Sequence, residues 1–197
     1  MTISEMKERL AEIILERSFK YSDNPPFTLA SGRQSNYYFN CKPTTLDPEG
    51  MNLIGTVIFD MVKDANITAA GGLTLGADPI ANALSVISYQ KGKPIKSFIV
   101  RKDVKDHGTK SAIEGNVQAG ELVLIIDDVI TTGGSTIAAI EQARKAGLVV
   151  AGVITLIDRE EGGRENIGQH VENIRSILTR TEIMAVRAGK MGAKAQR

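Results

Sequence analysis

The sequence predicts an α/β fold in which a parallel sheet is flanked by helices, and three observations support this. Short apolar runs such as residues 122–126 are bounded by glycine or by charged residues, which is typical of strands buried on both faces. These runs alternate with segments of helical apolar spacing, which indicates parallel strands with helical crossovers. The length of 197 residues suits one domain with a sizeable core.

The elements follow in order along the chain. The spacing of Met6, Leu10 and Ile13 places them on one face and predicts a first helix. Ser4 precedes them and is the predicted N-cap of this helix. Residues 27–39 alternate and predict a hairpin or bent strand pair, which with the first helix forms a small N-terminal hood. The spacing then predicts a helix at 51–61, a strand at 67–70, a helix at 79–89, strands at 95–100 and 122–126, a helix to 146, a strand at 149–157 and a final helix-strand-helix passage.

We expect a single domain over residues 1–197, with the N-terminal helix and hood at about 1–45, the core at about 46–190 and a frayed basic tail at 190–197. The 24 basic and 23 acidic residues nearly cancel, so no global field recruits nucleic acid or an anionic membrane. One cysteine, Cys41, fits a reducing compartment. Because the N-terminus is unlike a signal peptide and no apolar run approaches a membrane span, we expect a cytoplasmic protein.

The most informative motif lies where the strand at 122–126 meets an acidic pair and a turn of small residues. The carboxylates are expected at the carboxyl end of the strand, where open α/β sheets bind ligands. The turn leads into a helix and offers bare N–H groups, which favours a phosphate. An ordinary strand-to-helix turn with a solvated acidic cap is the alternative. The candidate phosphosugar ligands are Asp127, Asp128, Val129, Ile130, Thr131, Thr132, Gly133, Gly134 and Ser135.

This order of strand, acidic pair and small-residue turn resembles the 5-phosphoribosyl-1-pyrophosphate (PRPP) motif of the type I phosphoribosyltransferases. The resemblance implies their fold. It also implies that Asp127 and Asp128 accept hydrogen bonds from the ribose hydroxyls and stabilise a cationic ribose ring, while residues 131–135 hold the 5-phosphate.

A charged segment follows the strand at 95–100 and contains few apolar residues. A solvated charge run is one interpretation. The segment also resembles the Arg-Lys-x-x-Lys-x-His-Gly loop of the orotate phosphoribosyltransferases, which closes over pyrophosphate. That resemblance implies that the pyrophosphate ligands are Arg101, Lys102, Lys105 and His107, the last three with catalytic roles.

Two further segments resemble the same family. Residues 27–40 are similar to its Phe-x-Leu-x-Ser-Gly-x-x-Ser stretch, which implies that Tyr38 and Phe39 lie near the base. Residues 158–163 are similar to its Asp-Arg-x-Glu element, which implies that Arg159 faces orotate, with Thr131 beside the same ligand. Considered alone, the two aromatic residues are ordinary core residues and the arginine is a surface ion pair.

The chain departs from the family pattern at two positions. Many members carry lysine where Ala30 and Gly76 stand. Because glycine lets the backbone approach a ligand closely, we expect Leu75 and Gly76 to contact pyrophosphate through their N–H groups.

The resemblance as a whole implies an orotate phosphoribosyltransferase of pyrimidine (UMP) biosynthesis, which converts orotate and PRPP to orotidine 5'-monophosphate and pyrophosphate. It further implies Mg²⁺ bound through PRPP oxygens, with no certain protein ligand, and a homodimer with shared active sites. Two alternatives remain open: a regulatory protein that senses PRPP on the same fold, and transfer to another base.

Overall fold

The computed structural model describes residues 1–22, 24–28, 34–102 and 112–195. Within these residues the strands are β1 (Phe19–Tyr21), β2 (Phe27–Thr28), β3 (Gln34–Ser35), β4 (Tyr37–Phe39), β5 (Ala69–Leu73), β6 (Lys96–Val100), β7 (Ile113–Glu114), β8 (Leu122–Ile130), β9 (Val149–Asp158) and β10 (Ile174–Thr179). The helices in the same ranges are α1 (Ile3–Arg17), α2 (Lys42–Thr45), α3 (Pro48–Val62), α4 (Asp78–Gln90), α5 (Gly134–Lys145), α6 (Gly163–Gly168) and α7 (Arg180–Ala195).

The central sheet confirms the predicted α/β class. Across the described ranges its six strands lie in the order β10-β9-β8-β5-β6-β7. All neighbouring pairs are parallel except β6 and β7, which are antiparallel at one edge. Since parallel strands end at the same edge of a sheet, the segments that follow β9, β8, β5 and β6 emerge side by side.

Helices cover both faces of this sheet, and β8 shows why its sequence is continuously apolar. Val123 and Ile125 face the layer that contains α5, whereas Leu124 and Ile126 face the layer of α1, α3 and α4. Each of these four side chains is at most 4% exposed. A strand buried on both faces needs apolar residues at every position rather than at alternate ones. No helix in the described part of the chain is both long and apolar enough to cross a membrane.

The predicted hood region consists of two short antiparallel pairs, β1 with β4 and β2 with β3. The rings of Phe19 and Phe39 lie opposite each other in the first pair, with centroids 5.3 Å apart. Helix α7 joins this region to the core, because Arg187 lies over the rings of Phe19 and Tyr21 at 5.3 and 4.9 Å. Such contacts add cation–π attraction to the burial of the rings.

Several boundaries differ from the sequence prediction; the strand predicted at 67–70, for example, lies at Ala69–Leu73. Thr2, not Ser4, caps α1: its hydroxyl accepts from Glu5 N–H while the Glu5 carboxylate accepts from Thr2 N–H. This reciprocal capping box satisfies two donors at the helix start, which Ser4 cannot do from inside the helix. The expected tail at 190–197 is helical as far as Ala195, as the end of α7. Strand β8 continues to Ile130 because residues 127–130 keep pairing with β9.

Candidate active site

The acidic pair lies inside β8 near its carboxyl end, which corrects the expectation that the strand stops before it. Asp127 is opposite Thr155 of β9 and is only 8% exposed. Its carboxylate accepts hydrogen bonds from Ser135 Oγ at 2.9 Å and Thr136 Oγ1 at 2.5 Å. The other carboxylate oxygen accepts from Asp128 N–H at 2.9 Å. Asp127 therefore ties the strand to the first turn of α5.

Asp128 differs from its neighbour in environment. Strand alternation turns its side chain to the opposite face of the sheet, where it is only half-buried. Its Oδ1 accepts from Val129 N–H at 3.0 Å. Burial raises the pKa of Asp127 to about 6, with the charge of Asp128 adding to the effect and the Thr136 and Ser135 hydroxyls opposing it. The two carboxylates are thus unequal: one is enclosed and the other faces the site.

The turn after β8 forms an anion cradle. In the described part of the chain, the N–H groups of Thr132, Gly133, Gly134 and Ser135 donate to no acceptor. Gly133 has φ 86°, a left-handed conformation that glycine adopts without steric cost, and α5 begins at the next residue. Free N–H groups at a helix N-terminus attract an anion through hydrogen bonds and the helix dipole.

Helix α6 packs against the turn that forms this cradle and bonds to its backbone. Asn166 Nδ2 donates to Thr132 O at 3.0 Å. Gly163 lies so close that a Cβ there would come within 2.6 Å of Thr131 O. Sequence reasoning missed Asn166, since it lies in no recognisable motif and 34 residues beyond its partner.

The segment between β5 and α4 supplies a second set of free donors. Thr74 anchors it, with N–H donating to Val100 O at 3.0 Å and Oγ1 to Asp78 Oδ2 at 2.7 Å. Within the described residues the N–H groups of Leu75 and Gly76 have no acceptor. A Cβ at Gly76 would lie 2.5 Å from Asp128 Oδ1. The absence of a side chain at position 76 thus lets the backbone approach the Asp128 carboxylate closely.

The charged segment after β6 begins at the same edge of the sheet. Arg101 N–H donates to Ala112 O, and its guanidinium pairs with Glu114 at 3.1 Å. Lys102 is exposed. The predicted ligands Lys105 and His107 lie outside the described residues, as does Ala30.

Arg159 follows β9 and is 3% exposed. Its N–H donates to Ile130 O at 3.0 Å, which places Arg159 beside the turn that follows β8. Glu161 Oε1 accepts from Nε at 3.0 Å and pairs with Nη2 at 2.8 Å. Nη2 also donates to Ser35 Oγ at 3.0 Å and approaches Tyr37 O at 3.4 Å. Arg159 is thus a buried link between core and hood, not a surface ion pair.

The turn that carries Arg159 has an uncommon backbone. Glu160 has φ 57°, in the left-handed region that a residue with a side chain seldom adopts. Asp158 Oδ1 accepts from Glu160 N–H at 2.8 Å, and the Glu160 carboxylate accepts from Thr181 N–H and Oγ1 at the start of α7. These bonds hold the turn in the conformation that directs Arg159 towards the hood.

The two predicted aromatic ligands point in different directions, as neighbours on a strand must. Phe39 is 7% exposed, and its ring centroid lies 5.9 Å from Arg159 Cζ. Tyr38 is 38% exposed and packs against Phe27, with ring centroids 5.5 Å apart. The structure therefore brings Phe39 to Arg159, while the described contact of Tyr38 is within the hood.

An acidic pair, an N–H cradle and a second loop of free donors thus lie at one edge of a parallel sheet. Residues 69–183 match the family described as "Phosphoribosyl transferase domain". The chain is 47% identical to the orotate phosphoribosyltransferase of Aquifex aeolicus, over 90% of this chain and 97% of that one. It is 45% identical to the enzyme of the same name from Bradyrhizobium diazoefficiens, over 93% and 99%.

Solved structures agree with these relatives. The Mycobacterium tuberculosis orotate phosphoribosyltransferase, solved with Fe(III) dicitrate, superposes with a TM-score of 0.77 at 35% identity, covering 90% of this chain and 98% of that chain. The same enzyme solved with PRPP has a TM-score of 0.74 at 34% identity, over the same shares. The chain therefore belongs to the orotate phosphoribosyltransferase family.

Proposed function

We propose that this protein transfers ribose 5-phosphate from PRPP to a ring nitrogen of orotate, forming orotidine 5'-monophosphate and pyrophosphate in UMP biosynthesis. The observation that carries the proposal is the half-buried Asp128 between two sets of free N–H groups, with buried Arg159 on the neighbouring strand end. The family supports the same activity, because relatives that align over nearly their whole length carry this name.

The phosphate turn and the acidic pair bind the donor sugar in this proposal. The N–H groups of residues 132–135, which have no described acceptor, take the 5-phosphate. The proposal extends to Val129, Ile130 and Thr131 of the same segment. Asp128 accepts from the ribose hydroxyls, while Asp127 holds Ser135 and Thr136 in place. As the bond from ribose C1 to pyrophosphate breaks and the bond to the base nitrogen forms, positive charge develops on the ring. The adjacent carboxylate stabilises that charge.

The leaving group is assigned to the other side of Asp128. Pyrophosphate gains negative charge as it departs, and we assign it to the N–H groups of Leu75 and Gly76, which have no acceptor among the described residues. Arg101 and Lys102 lie at the end of the neighbouring strand and supply positive charge. The proposal extends to Lys105 and His107, which the family pattern adds to this group.

The base is assigned to the space between the phosphate turn and the hood. Arg159 Nη1 donates to no described residue and is the amino group available to orotate. Thr131 follows Ile130, whose carbonyl accepts from Arg159 N–H. Phe39 supplies an apolar wall beside the guanidinium, and Tyr38 is the outer aromatic residue of the same strand.

We assign Mg²⁺ to the PRPP oxygens. Among the described residues, no three His, Cys, Asp or Glu side chains gather to hold an ion without the substrate. Asp128 does offer a half-buried carboxylate beside the donor sites, which suits a hard cation that is bound mainly through substrate phosphates. When bound, the ion neutralises charge on the departing pyrophosphate.

We propose a cytoplasmic homodimer of single-domain subunits, in which each charged loop at 101–109 serves the neighbouring subunit. Val86 and Tyr89 of α4 are 58% and 76% exposed. Val86 borders a groove of about 300 Å³ against the start of α3, and such an apolar surface is typical of an interface. The single Cys41 is buried and free, consistent with a reducing compartment.

Mixing two inactive variants tests the shared site. Lys105→Ala should disable the loop and Asp128→Asn the ribose site. With random exchange about half of the dimers are mixed and each has one intact site, so activity should return to roughly a quarter of wild type. If subunits demonstrably exchange and no activity returns, each loop serves its own subunit.

The base is tested by incubating the protein with PRPP and Mg²⁺ together with orotate, uracil, adenine or guanine, and measuring pyrophosphate release. We expect release with orotate alone. Release only with another base would reassign the acceptor. Binding of PRPP without turnover of any base would support the alternative of a PRPP-sensing regulator.

A further inference from the structure

Ser35 occupies an unusual hydrogen-bonding position at the base end of the site. Its Oγ accepts from Tyr37 N–H at 3.1 Å and from Arg159 Nη2 at 3.0 Å. A hydroxyl has two acceptor lone pairs and one donor proton. Both lone pairs of Ser35 are therefore used, and its proton has no acceptor among the described residues. This hydroxyl can interact with a ligand only by donating.

The guanidinium of Arg159 is also held by hydrogen bonds that use most of its donors. Glu161 accepts from Nε and Nη2, and Nη2 is shared with Ser35 and Tyr37 O. Of the three guanidinium nitrogens of Arg159, only Nη1 donates to none of the described residues. The carboxylate of Glu161 offsets the charge of the guanidinium and fixes its plane. The cluster thus leaves two neighbouring kinds of donor without a described acceptor, the N–H groups of Nη1 and the O–H of Ser35.

We propose that Ser35 is an orotate-contacting residue whose hydroxyl donates to the carboxylate of the base, beside Arg159 Nη1. This inference rests on the proposed function, since it names a recognition residue for that acceptor. A carboxylate can accept from both donors and supplies no proton to compete with them. Charge-assisted bonds of this kind are stronger than neutral ones. A pyrimidine without the carboxylate leaves the Ser35 proton without a partner, which disfavours its binding.

Ser22 provides a matched control in the same hood. Its Oγ donates to Pro25 O at 2.8 Å, so its proton is already used. Ser22 has no described contact with Arg159. Replacing it tests whether loss of any hood hydroxyl disturbs the base end.

Steady-state kinetics of Ser35→Ala test the contact. We expect the orotate KM to rise about tenfold or more, because a hydrogen bond to a charged group is lost, while the PRPP KM stays within about twofold of wild type. Ser35→Thr keeps the hydroxyl and should restore most of the orotate affinity. Ser22→Ala should behave as wild type. An unchanged orotate KM in Ser35→Ala would overturn the inference.

A double-mutant cycle separates direct contact from an effect through Arg159. If Ser35 touches orotate itself, Ser35→Ala should weaken orotate at least about threefold further in an Arg159→Leu background. No further loss would mean that Ser35 acts only by holding the guanidinium, and would overturn the proposed contact. Wild-type protein that fails to turn over orotate would instead overturn the proposed function, so the two failures are distinguishable.

Discussion

The phosphate end and the base end of the site are held together in different ways. At the phosphate end, Asp127 accepts from Ser135 and Thr136, which are eight and nine residues further along the same strand-turn-helix segment. At the base end, Arg159 bonds to Ser35, 124 residues earlier in the chain. If the proposed function holds, phosphate binding depends on local geometry, whereas base recognition depends on the docking of the hood. Substitutions at the phosphate end should therefore change the kinetics with PRPP, and substitutions at the base end should change the kinetics with orotate.

The largest effect is expected from the acidic pair. Replacing Asp127 and Asp128 with Asn should cost about 3 to 5 kcal/mol of transition-state stabilisation, or roughly two to four decades in kcat/KM. We expect Asp128→Asn alone to account for most of this loss, because the Asp127 carboxylate is occupied by internal donors. Circular dichroism should show a retained fold. Near-normal turnover in a folded double variant would make the pair a structural cap.

Arg159→Leu tests the base end. Loss of its donors should raise the orotate KM and reduce specificity for orotate by roughly 2 to 4 kcal/mol, with PRPP binding nearly intact. Arg180→Leu is the matched control, since Arg180 approaches the same Glu161 at 4.0 Å but is 32% exposed. It should have little effect. Equal losses for both substrates in Arg159→Leu would contradict the division between the two ends.

Gly76→Ala tests the close approach of the backbone at residue 76 to Asp128, beside the proposed pyrophosphate position. The added Cβ would displace the Asp128 carboxylate, so we expect the PRPP KM to rise about three- to tenfold, which corresponds to about 1 kcal/mol. Thermal stability should change little, because a side-chain end rather than backbone must move. Gly189→Ala in α7, where a Cβ meets nothing within 4 Å, is the control. Unchanged PRPP kinetics would show that the Asp128 carboxylate can move without weakening PRPP binding.

An effect of similar size concerns the pH dependence of stability. The pKa of Asp127 is raised by burial from 3.8 to about 6, so its ionised form destabilises the fold at high pH. As pH falls through 6, the folded protein takes up the proton before the unfolded chain does, and stability increases until the unfolded aspartate is protonated as well.

Asp127→Asn removes this titration. Relative to wild type, the variant should therefore gain about 1 kcal/mol or more in unfolding free energy at pH 8 compared with pH 5. Urea titrations at the two pH values measure the difference. A difference that is independent of pH would show that Asp127 titrates normally.

Local motifs explain how far the sequence could be interpreted. The order of β8, Asp127-Asp128 and the small-residue turn predicted the turn with free N–H groups at the start of α5, because residues near in sequence form it. The same reasoning ended β8 too early, since strand pairing of Asp127 with Thr155 extends the strand through the charged residues. It also predicted Ser4 rather than Thr2 as the cap, since the capping box depends on Glu5 as well.

The base end was less predictable. A resemblance pointed to Arg159, but nothing local indicates that Ser35, 124 residues earlier, contacts its guanidinium. Asn166 likewise gains its role only when α6 is packed against the phosphate turn. Contacts between distant segments are set by tertiary packing, which periodicity and composition do not encode individually.

The short strands of the hood have a consequence for local opening. β1 and β4 are three residues each, whereas β8 and β9 have nine and ten and lie within the central sheet. Small units with few buried contacts open at lower free energy than the global transition. Amide protons of β1 and β4 should thus exchange with deuterium well before those of β8, and a ligand that bridges Arg159 and Ser35 should slow that exchange selectively.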